Sequence, residues 1–143
     1  MKTCEPPAEG GLSQSVGVDL IEIPRIVRVL ERWGDRFLRR IYTDDEVALC
    51  RGRVPELAAR FAGKEAISKA LGTGLVGVDW PEMEILADPL GKPTVRLHGR
   101  AQRRALELGL VHWAISLTHT KDHAMAMVVA SAGIDSSRHW KSV

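Results

Sequence analysis

A chain of 143 residues, 45% hydrophobic and 27% charged, is long enough for one globular domain with a sizeable core. Twenty Lys and Arg residues against 18 Asp and Glu residues leave a net charge of +2, which does not indicate a nucleic-acid-binding protein. The only cysteines, Cys4 and Cys50, argue against a disulfide framework or a cysteine metal site. No signal-peptide pattern or membrane-length apolar run is present, so we expect a cytoplasmic protein without membrane contact.

The N-terminal part predicts a tail followed by a short strand. Residues 1–14 contain paired prolines and glycines and predict a flexible N-terminal tail. Residues 15–21 alternate, with valines on one face and Gly17 and Asp19 on the other. The residues alone leave two roles open for Asp19, a helix N-cap or a ligand held at the end of a strand.

A helix with two contrasting faces is predicted next. Pro24 suits its first turn, and an apolar stripe runs from Ile23 to Phe37 as one helix. Arginines at spacings of three and four form a basic ridge on the other side: Arg25, Arg28, Arg32 and Arg36. This ridge is either a solvated face or a docking surface for an acidic partner, protein or nucleic acid.

Two further helices are predicted before the middle of the chain. Thr43 and Glu46 have capping-box spacing, which predicts a short helix ending near Cys50. A long helix is predicted from Pro55 to the glycines after Leu71.

Two charged residues of the long helix allow two interpretations. Phe61, Glu65 and Lys69 share one helix face, because they lie four residues apart. Glu65 and Lys69 are either a surface ion pair or a metal-binding carboxylate beside a phosphate-binding ammonium.

The C-terminal half predicts two hairpins around a short helix. The strands are expected at 83–87 and 94–97, and at 113–118 and 123–130, with a helix over 99–108 between the hairpins. Hairpins without repeated βαβ units predict an α+β fold with a largely antiparallel sheet packed against the long helix. Residues 132–143 are predicted to be a C-terminal tail.

A metal and phosphate site is the sharper hypothesis. Asp19 supplies a second carboxylate beside Glu65, and two carboxylates that leave positions open are typical of Mg²⁺ bound with a phosphate substrate. The predicted anion site is the turn at His119, Thr120 and Lys121, helped by Lys69 and the amides of 72–74.

Three separated segments resemble the small holo-acyl-carrier-protein synthase type of 4′-phosphopantetheinyl transferase. They are Val-Gly-Val-Asp-Leu-Ile-Glu-Ile-Pro-Arg-Ile (16–26), Arg-Phe-Ala-Gly-Lys-Glu-Ala-Ile-Ser-Lys-Ala-Leu-Gly-Thr-Gly (60–74) and Ile-Ser-Leu-Thr-His-Thr (115–120). The resemblance spans about residues 15–131, which we take as the transferase domain with that family's fold. Gly63 stands where the family usually has alanine.

The resemblance implies an activity. It is Mg²⁺-dependent transfer of 4′-phosphopantetheine from coenzyme A to a serine of apo acyl carrier protein, with release of 3′,5′-ADP, for fatty-acid biosynthesis. The catalytic residues would be Asp19, Glu65 and Lys69, with Asp19 and Glu65 as metal ligands. Coenzyme-binding residues would be Arg60, Lys69, Gly72, Thr73, Gly74, His119 and Thr120. The acyl carrier protein would dock on Arg25, Arg28 and Arg32.

Several alternatives remain open at the level of sequence. The base that accepts the serine proton is Asp19, Glu65 or a water held by the cation. The resemblance also implies a homotrimer with sites between subunits. Rival interpretations are a non-catalytic module that binds coenzyme A or a carrier protein, and a small nucleic-acid-binding protein that uses the basic ridge.

Overall fold

Residues 14–133 are described by a computed structural model. In chain order the elements are β1 (Gln14–Glu22), α1 (Ile23–Trp33), α2 (Asp35–Ile41), α3 (Asp44–Cys50), α4 (Val54–Ala70), β2 (Met83–Ala87), β3 (Pro93–Leu97), α5 (Gly99–Glu107), β4 (His112–His119) and β5 (His123–Ser131). A single 3-10 turn, Trp80–Glu82, precedes β2. Most of the two predicted tails, 1–13 and 134–143, lies outside the described residues. Gln14, predicted as tail, pairs with Ser131 at the start of β1.

Two antiparallel sheets account for the strands. The three-stranded sheet has the order β1-β5-β4, and β2 and β3 form a separate hairpin. In the larger sheet Asp19 lies opposite Ala126 and Val18 opposite Met127. The α+β prediction with antiparallel pairing is confirmed, with two sheets where the sequence predicted one.

Helix α4 packs between the two sheets. Its 17 residues are buried almost all the way round, and small residues allow the strands to approach closely. A Cβ at Gly63 would lie 2.4 Å from the Ile85 Cδ1 atom and 3.2 Å from that of Ile115. The helix therefore joins β2 to the three-stranded sheet, and its residues face different neighbours on each side.

The predicted helix over 23–37 is wrong in one respect, because the chain forms two helices there. Gly34 takes a positive φ of 49°, and its N–H closes α1 on the Leu30 carbonyl 2.8 Å away. Glycine reaches this backbone region without steric cost, so the chain can turn at this point. As a result Trp33, predicted on the apolar stripe, is exposed beside Arg32 and Arg36, whose guanidinium carbons lie 5.2 and 5.6 Å from its ring centre.

The three-stranded sheet leaves one apolar face uncovered in the single chain. We call it the outer sheet face, and its exposed side chains come from β1 and β5: Val16, Val18, Leu20, Met125 and Met127. The opposite face of β1 carries Gly17, Asp19 and Ile21 toward α4. A strand normally turns its larger apolar residues to the core, so this face leaves an unusual apolar surface exposed on the single chain.

Among residues 14–133, no helix is both long enough and apolar enough to cross a lipid bilayer.

Candidate active site between strand β1 and helix α4

A main-chain contact at Gly17 brings β1 against α4. A Cβ built on Gly17 would lie 1.8 Å from the carbonyl oxygen of Ala66. Only glycine can occupy a strand position that a helix backbone approaches this closely. The hydroxyl of Ser15 also donates a hydrogen bond to the Ala70 carbonyl. Two residues after Gly17, Asp19 therefore lies beside the next turn of the same helix.

Asp19 and Lys69 form a direct contact in this crevice. The Nζ atom of Lys69 lies 3.2 Å from Asp19 Oδ1 and donates a second hydrogen bond, at 2.9 Å, to the Val18 carbonyl oxygen. The Asp19 side chain keeps 20% of its surface exposed and that of Lys69 52%. The strand thus brings a carboxylate to the helix face that carries Glu65 and Lys69.

The pKa of Glu65, the third charged residue in this crevice, is affected by both Asp19 and Lys69. Burial raises its pKa above the ordinary value, and the negative charge of Asp19 raises it further. The positive charges of Lys69 and Arg25 act in the opposite direction. Since these charges act over short range, Asp19, Glu65, Lys69 and Arg25 form one electrostatic group.

The donor set of this group fits a divalent cation that is shared with a phosphate. Asp19 and Glu65 offer carboxylate oxygens, which Mg²⁺ prefers, and partial exposure leaves room for further ligands. Within residues 14–133 no cluster of three or more His, Cys, Asp or Glu side chains could hold a metal. Two protein carboxylates with waters and phosphate oxygens is the usual arrangement for Mg²⁺.

The two predicted coenzyme-binding segments lie at opposite ends of β1. The 72–74 segment follows the end of α4, next to Ser15. The turn after His119 lies at the other end, where the Ile23 N–H donates to the Asp122 carbonyl at 2.8 Å. Seven residues of strand separate these ends, about 23 Å. One chain therefore does not bring the two segments into a single anion pocket.

Both segments are turns that are largely exposed to solvent. Gly72 and Gly74 take positive φ values of 73° and 56°. In the turn, Thr120 accepts from the His123 N–H at 3.2 Å through its hydroxyl, and its own N–H donates to the His123 carbonyl at 2.8 Å. The side chains of His119 and Thr120 are exposed.

Arg60 lies on a different face of α4 from Glu65. Its Nε donates to the Ile85 carbonyl at 3.0 Å, and its Nη1 lies 2.8 Å from Glu56 Oε2. The residue is buried against β2. Within the single chain Arg60 is not part of the group around Asp19, and its predicted contact with coenzyme stays a prediction.

The basic ridge begins next to the carboxylates. Arg25, Arg28 and Arg32 are exposed along α1, and the positive charge of Arg25 partly offsets the burial that raises the pKa of Glu65. A partner held by the ridge would therefore have its bound surface within reach of the Asp19 crevice.

A buried ion pair, Lys64 with Glu46, was missed at the level of sequence. Both side chains are fully buried, with Lys64 Nζ 2.7 Å from Glu46 Oε1. Lys64 also donates to the carbonyl oxygens of Trp80 and Met83, at 3.1 and 2.8 Å. The capping box of Thr43 and Glu46 is confirmed. The available signal was the run of small residues around Lys64, which buries the whole helix turn.

Glu84 extends this buried group toward the surface. It accepts hydrogen bonds from the Thr43 hydroxyl and from His98, the latter at 3.2 Å. Burial raises the pKa of Glu84, but the Thr43 and His98 hydrogen bonds and the charges of His98 and Lys64 outweigh it, so the net pKa is lowered.

Comparison with protein families places the chain among known proteins. The family model for the 4′-phosphopantetheinyl transferase superfamily matches residues 15–128. A holo-[acyl-carrier-protein] synthase of Herpetosiphon aurantiacus is 52% identical over 120 residues, which cover 79% of this chain and 94% of the relative. One from Dehalococcoides mccartyi is 48% identical over 114 residues, 80% of this chain and 95% of the relative.

Solved structures agree with this placement. The Helicobacter pylori holo-[acyl-carrier-protein] synthase in complex with coenzyme A superposes with a TM-score of 0.75 at 28% identity, covering 80% of this chain and 98% of that one. The Neisseria meningitidis synthase gives 0.75 at 35% identity, with 81% and 96% covered. Sequence and fold together show that the chain belongs to the 4′-phosphopantetheinyl transferase superfamily, in the branch of the holo-[acyl-carrier-protein] synthases.

Proposed function

We propose that this enzyme moves 4′-phosphopantetheine from coenzyme A to a serine of apo acyl carrier protein, with Asp19 and Glu65 holding Mg²⁺. The observation that carries the proposal is the convergence of Asp19 with Glu65 and Lys69, the last of which lies 50 residues further along the chain. The carriers of fatty-acid biosynthesis are the proposed substrates, and the cytoplasm is the proposed location.

The chemistry requires charge neutralisation and positioning. The serine oxygen forms a bond to the β-phosphorus of coenzyme A, the bond from that phosphorus to 3′,5′-ADP breaks, and the serine proton passes to Asp19, Glu65 or a water molecule. Bound Mg²⁺ would neutralise charge on the diphosphate. Lys69 offsets further charge from the helix face beside it, and Asp19 and Glu65 are oriented by the β1–α4 contact at Gly17.

A mass measurement tests the transfer and the role of Glu65. Apo carrier protein, coenzyme A and Mg²⁺ are incubated with the enzyme, and the carrier should gain the mass of phosphopantetheine unless a chelator is present. Glu65→Gln keeps the side-chain size and should lose about 100-fold or more in turnover while remaining folded. Glu107→Gln, on the exposed side of α5, is the matched control. Full Mg²⁺-dependent activity of Glu65→Gln would reject the metal role.

We also propose that the active enzyme is a homotrimer with sites shared between subunits. The exposed apolar outer sheet face supports subunit contact. The separation of the 72–74 segment from the His119 turn along β1 supports a shared site, because a neighbouring chain can place its own turn or its Arg60 where one chain cannot. Asp19, Glu65 and Lys69 would then come from one subunit and part of the coenzyme pocket from the next.

Mixing inactive variants tests the shared site. Asp19→Asn and His119→Ala would each disable a different half of the pocket. If halves come from different chains, co-refolding the two variants should restore part of the wild-type turnover, because some pockets then contain no substituted residue. Failure to recover activity at any mixing ratio would contradict sharing. Sedimentation of the wild-type chain gives the number of subunits directly.

The basic ridge is the proposed docking surface for the acidic carrier protein. The three members of the ridge on α1, Arg25, Arg28 and Arg32, are exposed, and Arg25 is close enough to Glu65 for its charge to act on that carboxyl. A carrier bound there would present its serine to the Asp19 crevice. Carriers from fatty-acid and polyketide synthesis, tested side by side, show which class is served.

A further inference from the structure

Lys69 contacts the same carboxylate that we assign to Mg²⁺. Its Nζ atom lies 3.2 Å from Asp19 Oδ1 and is anchored by the Val18 carbonyl oxygen at 2.9 Å. The Lys69 side chain is 52% exposed, against 20% for Asp19. Asp19 is held on a paired strand, whereas Lys69 has a flexible four-carbon stem. The lysine tip can therefore leave this contact more easily than the aspartate can.

An ammonium and a divalent cation cannot share Asp19 without repulsion. Mg²⁺ binds carboxylate oxygens at about 2.1 Å, so both positive charges would lie within about 5 Å of each other in a partly dehydrated crevice. Glu65 does not remove the conflict, because the cation needs its carboxylate too. Either Lys69 leaves Asp19 or the cation is held weakly.

A diphosphate changes this balance. Its negative charge gives the ammonium of Lys69 a new partner on the same helix face, so Asp19 is released to the cation. We infer that Lys69 makes divalent cation and coenzyme bind cooperatively by guarding Asp19 until a diphosphate draws the ammonium away. The inference rests on the proposed function, since it requires Asp19 as a metal ligand and Lys69 as a diphosphate contact. By linkage, the cation must raise coenzyme affinity by the same factor.

Mn²⁺ binding, followed by electron paramagnetic resonance, tests the coupling without turnover. Mn²⁺ is titrated into the wild-type enzyme and into Lys69→Met, with and without coenzyme A and with no carrier protein present. Without coenzyme, Lys69→Met should bind Mn²⁺ at least about fivefold more tightly than wild type, since the competing charge is gone. The factor by which coenzyme A tightens Mn²⁺ binding should be smaller in Lys69→Met.

Two control variants separate the Lys69 contact from a general change of charge. Lys69→Arg keeps a positive charge at the site and should bind Mn²⁺ alone like wild type. Arg103→Met removes one positive charge from the exposed face of α5 and should change Mn²⁺ affinity by less than about twofold, because distant surface charges are screened. Circular dichroism confirms that each variant is folded.

The outcomes distinguish this inference from the proposed function. If wild type binds Mn²⁺ with coenzyme A but Lys69→Met without coenzyme binds it no more tightly than wild type, the coupling is overturned and the metal role stands. If Arg103→Met tightens Mn²⁺ binding as much as Lys69→Met, the coupling is likewise overturned. If Asp19→Asn binds Mn²⁺ as well as wild type with coenzyme A, the metal role and the coupling both fail.

Discussion

Helix α4 carries a charged cluster on each of two faces, and the two clusters differ in burial and in the number of hydrogen-bond partners. Lys64 faces β2, fully buried, with three acceptors for its three protons. Lys69 faces β1, half exposed, with one carboxylate and one carbonyl. The two lysines are five residues apart, about 140° around the helix.

The difference shows how one helix can separate stability from activity. The buried Lys64–Glu46 pair has its hydrogen bonds satisfied within the protein, so it fixes the positions of α3, α4 and β2. It leaves no hydrogen-bonding group available for a ligand. A partly exposed pair is worth little to stability, so its members can change partners when substrate binds.

The largest effect is expected from Lys64→Met. It leaves the Glu46 carboxylate buried without its counter-charge, and this should reduce the free energy of unfolding by about 3–5 kcal/mol. Lys69→Met should cost no more than about 1 kcal/mol, because its pair is exposed. Urea unfolding at one fixed protein concentration measures both. Equal losses in the two variants would contradict the contrast.

For turnover, the larger loss is expected from Lys69→Met rather than from Lys64→Met. Lys69→Met removes a positive charge beside the reacting diphosphate, and kcat should fall by about 10²–10³-fold, or about 2.7–4 kcal/mol. Steady-state rates of carrier modification measure this change. Lys69→Arg, which keeps the charge, is the control and should retain more activity than Lys69→Met. A Lys69→Met enzyme with wild-type kcat would exclude Lys69 from catalysis.

Glu84 should make the stability of the buried cluster depend on pH. Because its pKa is lowered on folding from the ordinary value of 4.5, ionised Glu84 stabilises the fold above that value and the benefit is lost as the pH falls through the folded pKa. Glu84→Gln should therefore cost about 1.5–3 kcal/mol at neutral pH, and its stability should converge with wild type in acid. Unfolding free energies measured from pH 7 downward check this, with Glu107→Gln as a variant that should show little difference. A cost that stays constant with pH would contradict the lowered pKa.

The smallest effect is expected at Arg25, at the edge of the partly exposed group of Asp19, Glu65 and Lys69. Arg25→Glu should raise the KM for carrier protein by about tenfold, about 1.4 kcal/mol, with less change in kcat. The effect should shrink at high salt, because exposed charges are screened. Arg103→Glu makes the same charge change on α5 and should leave the KM near wild type. An increase in KM that does not depend on salt would argue against electrostatic docking.

Local patterns predicted most of the elements. The capping box at Thr43, the two hairpins and the helix ending before Gly72 are all found within a few residues of their predicted bounds. These features depend on neighbours in the chain, so spacing and residue type suffice. The break at Gly34 was missed because the apolar residues keep a helical spacing across it, and only the backbone reveals the turn.

Tertiary partners were harder to predict. Glu46 was interpreted only as a capping residue, since nothing in its spacing from Lys64 indicates a contact through β2. The resemblance predicted that Asp19 and Glu65 share a metal site with Lys69 nearby, whereas the direct contact of Lys69 with Asp19 was not predicted. The residues alone left Asp19 open between a cap and a ligand. The exposed outer sheet face was not predicted, because alternation along a strand does not say which face meets the core.

The close contact at Gly17 also affects which positions of the protein can tolerate substitution. Because β1 touches α4 through main-chain atoms, no side chain intervenes that could repack and shift Asp19 from Glu65. Exchanges among the surrounding core residues can be absorbed by rotamer changes, while this junction stays rigid. Substitutions in much of the interior can therefore be accommodated by repacking, whereas at Gly17 any substituent larger than a hydrogen atom should separate strand from helix.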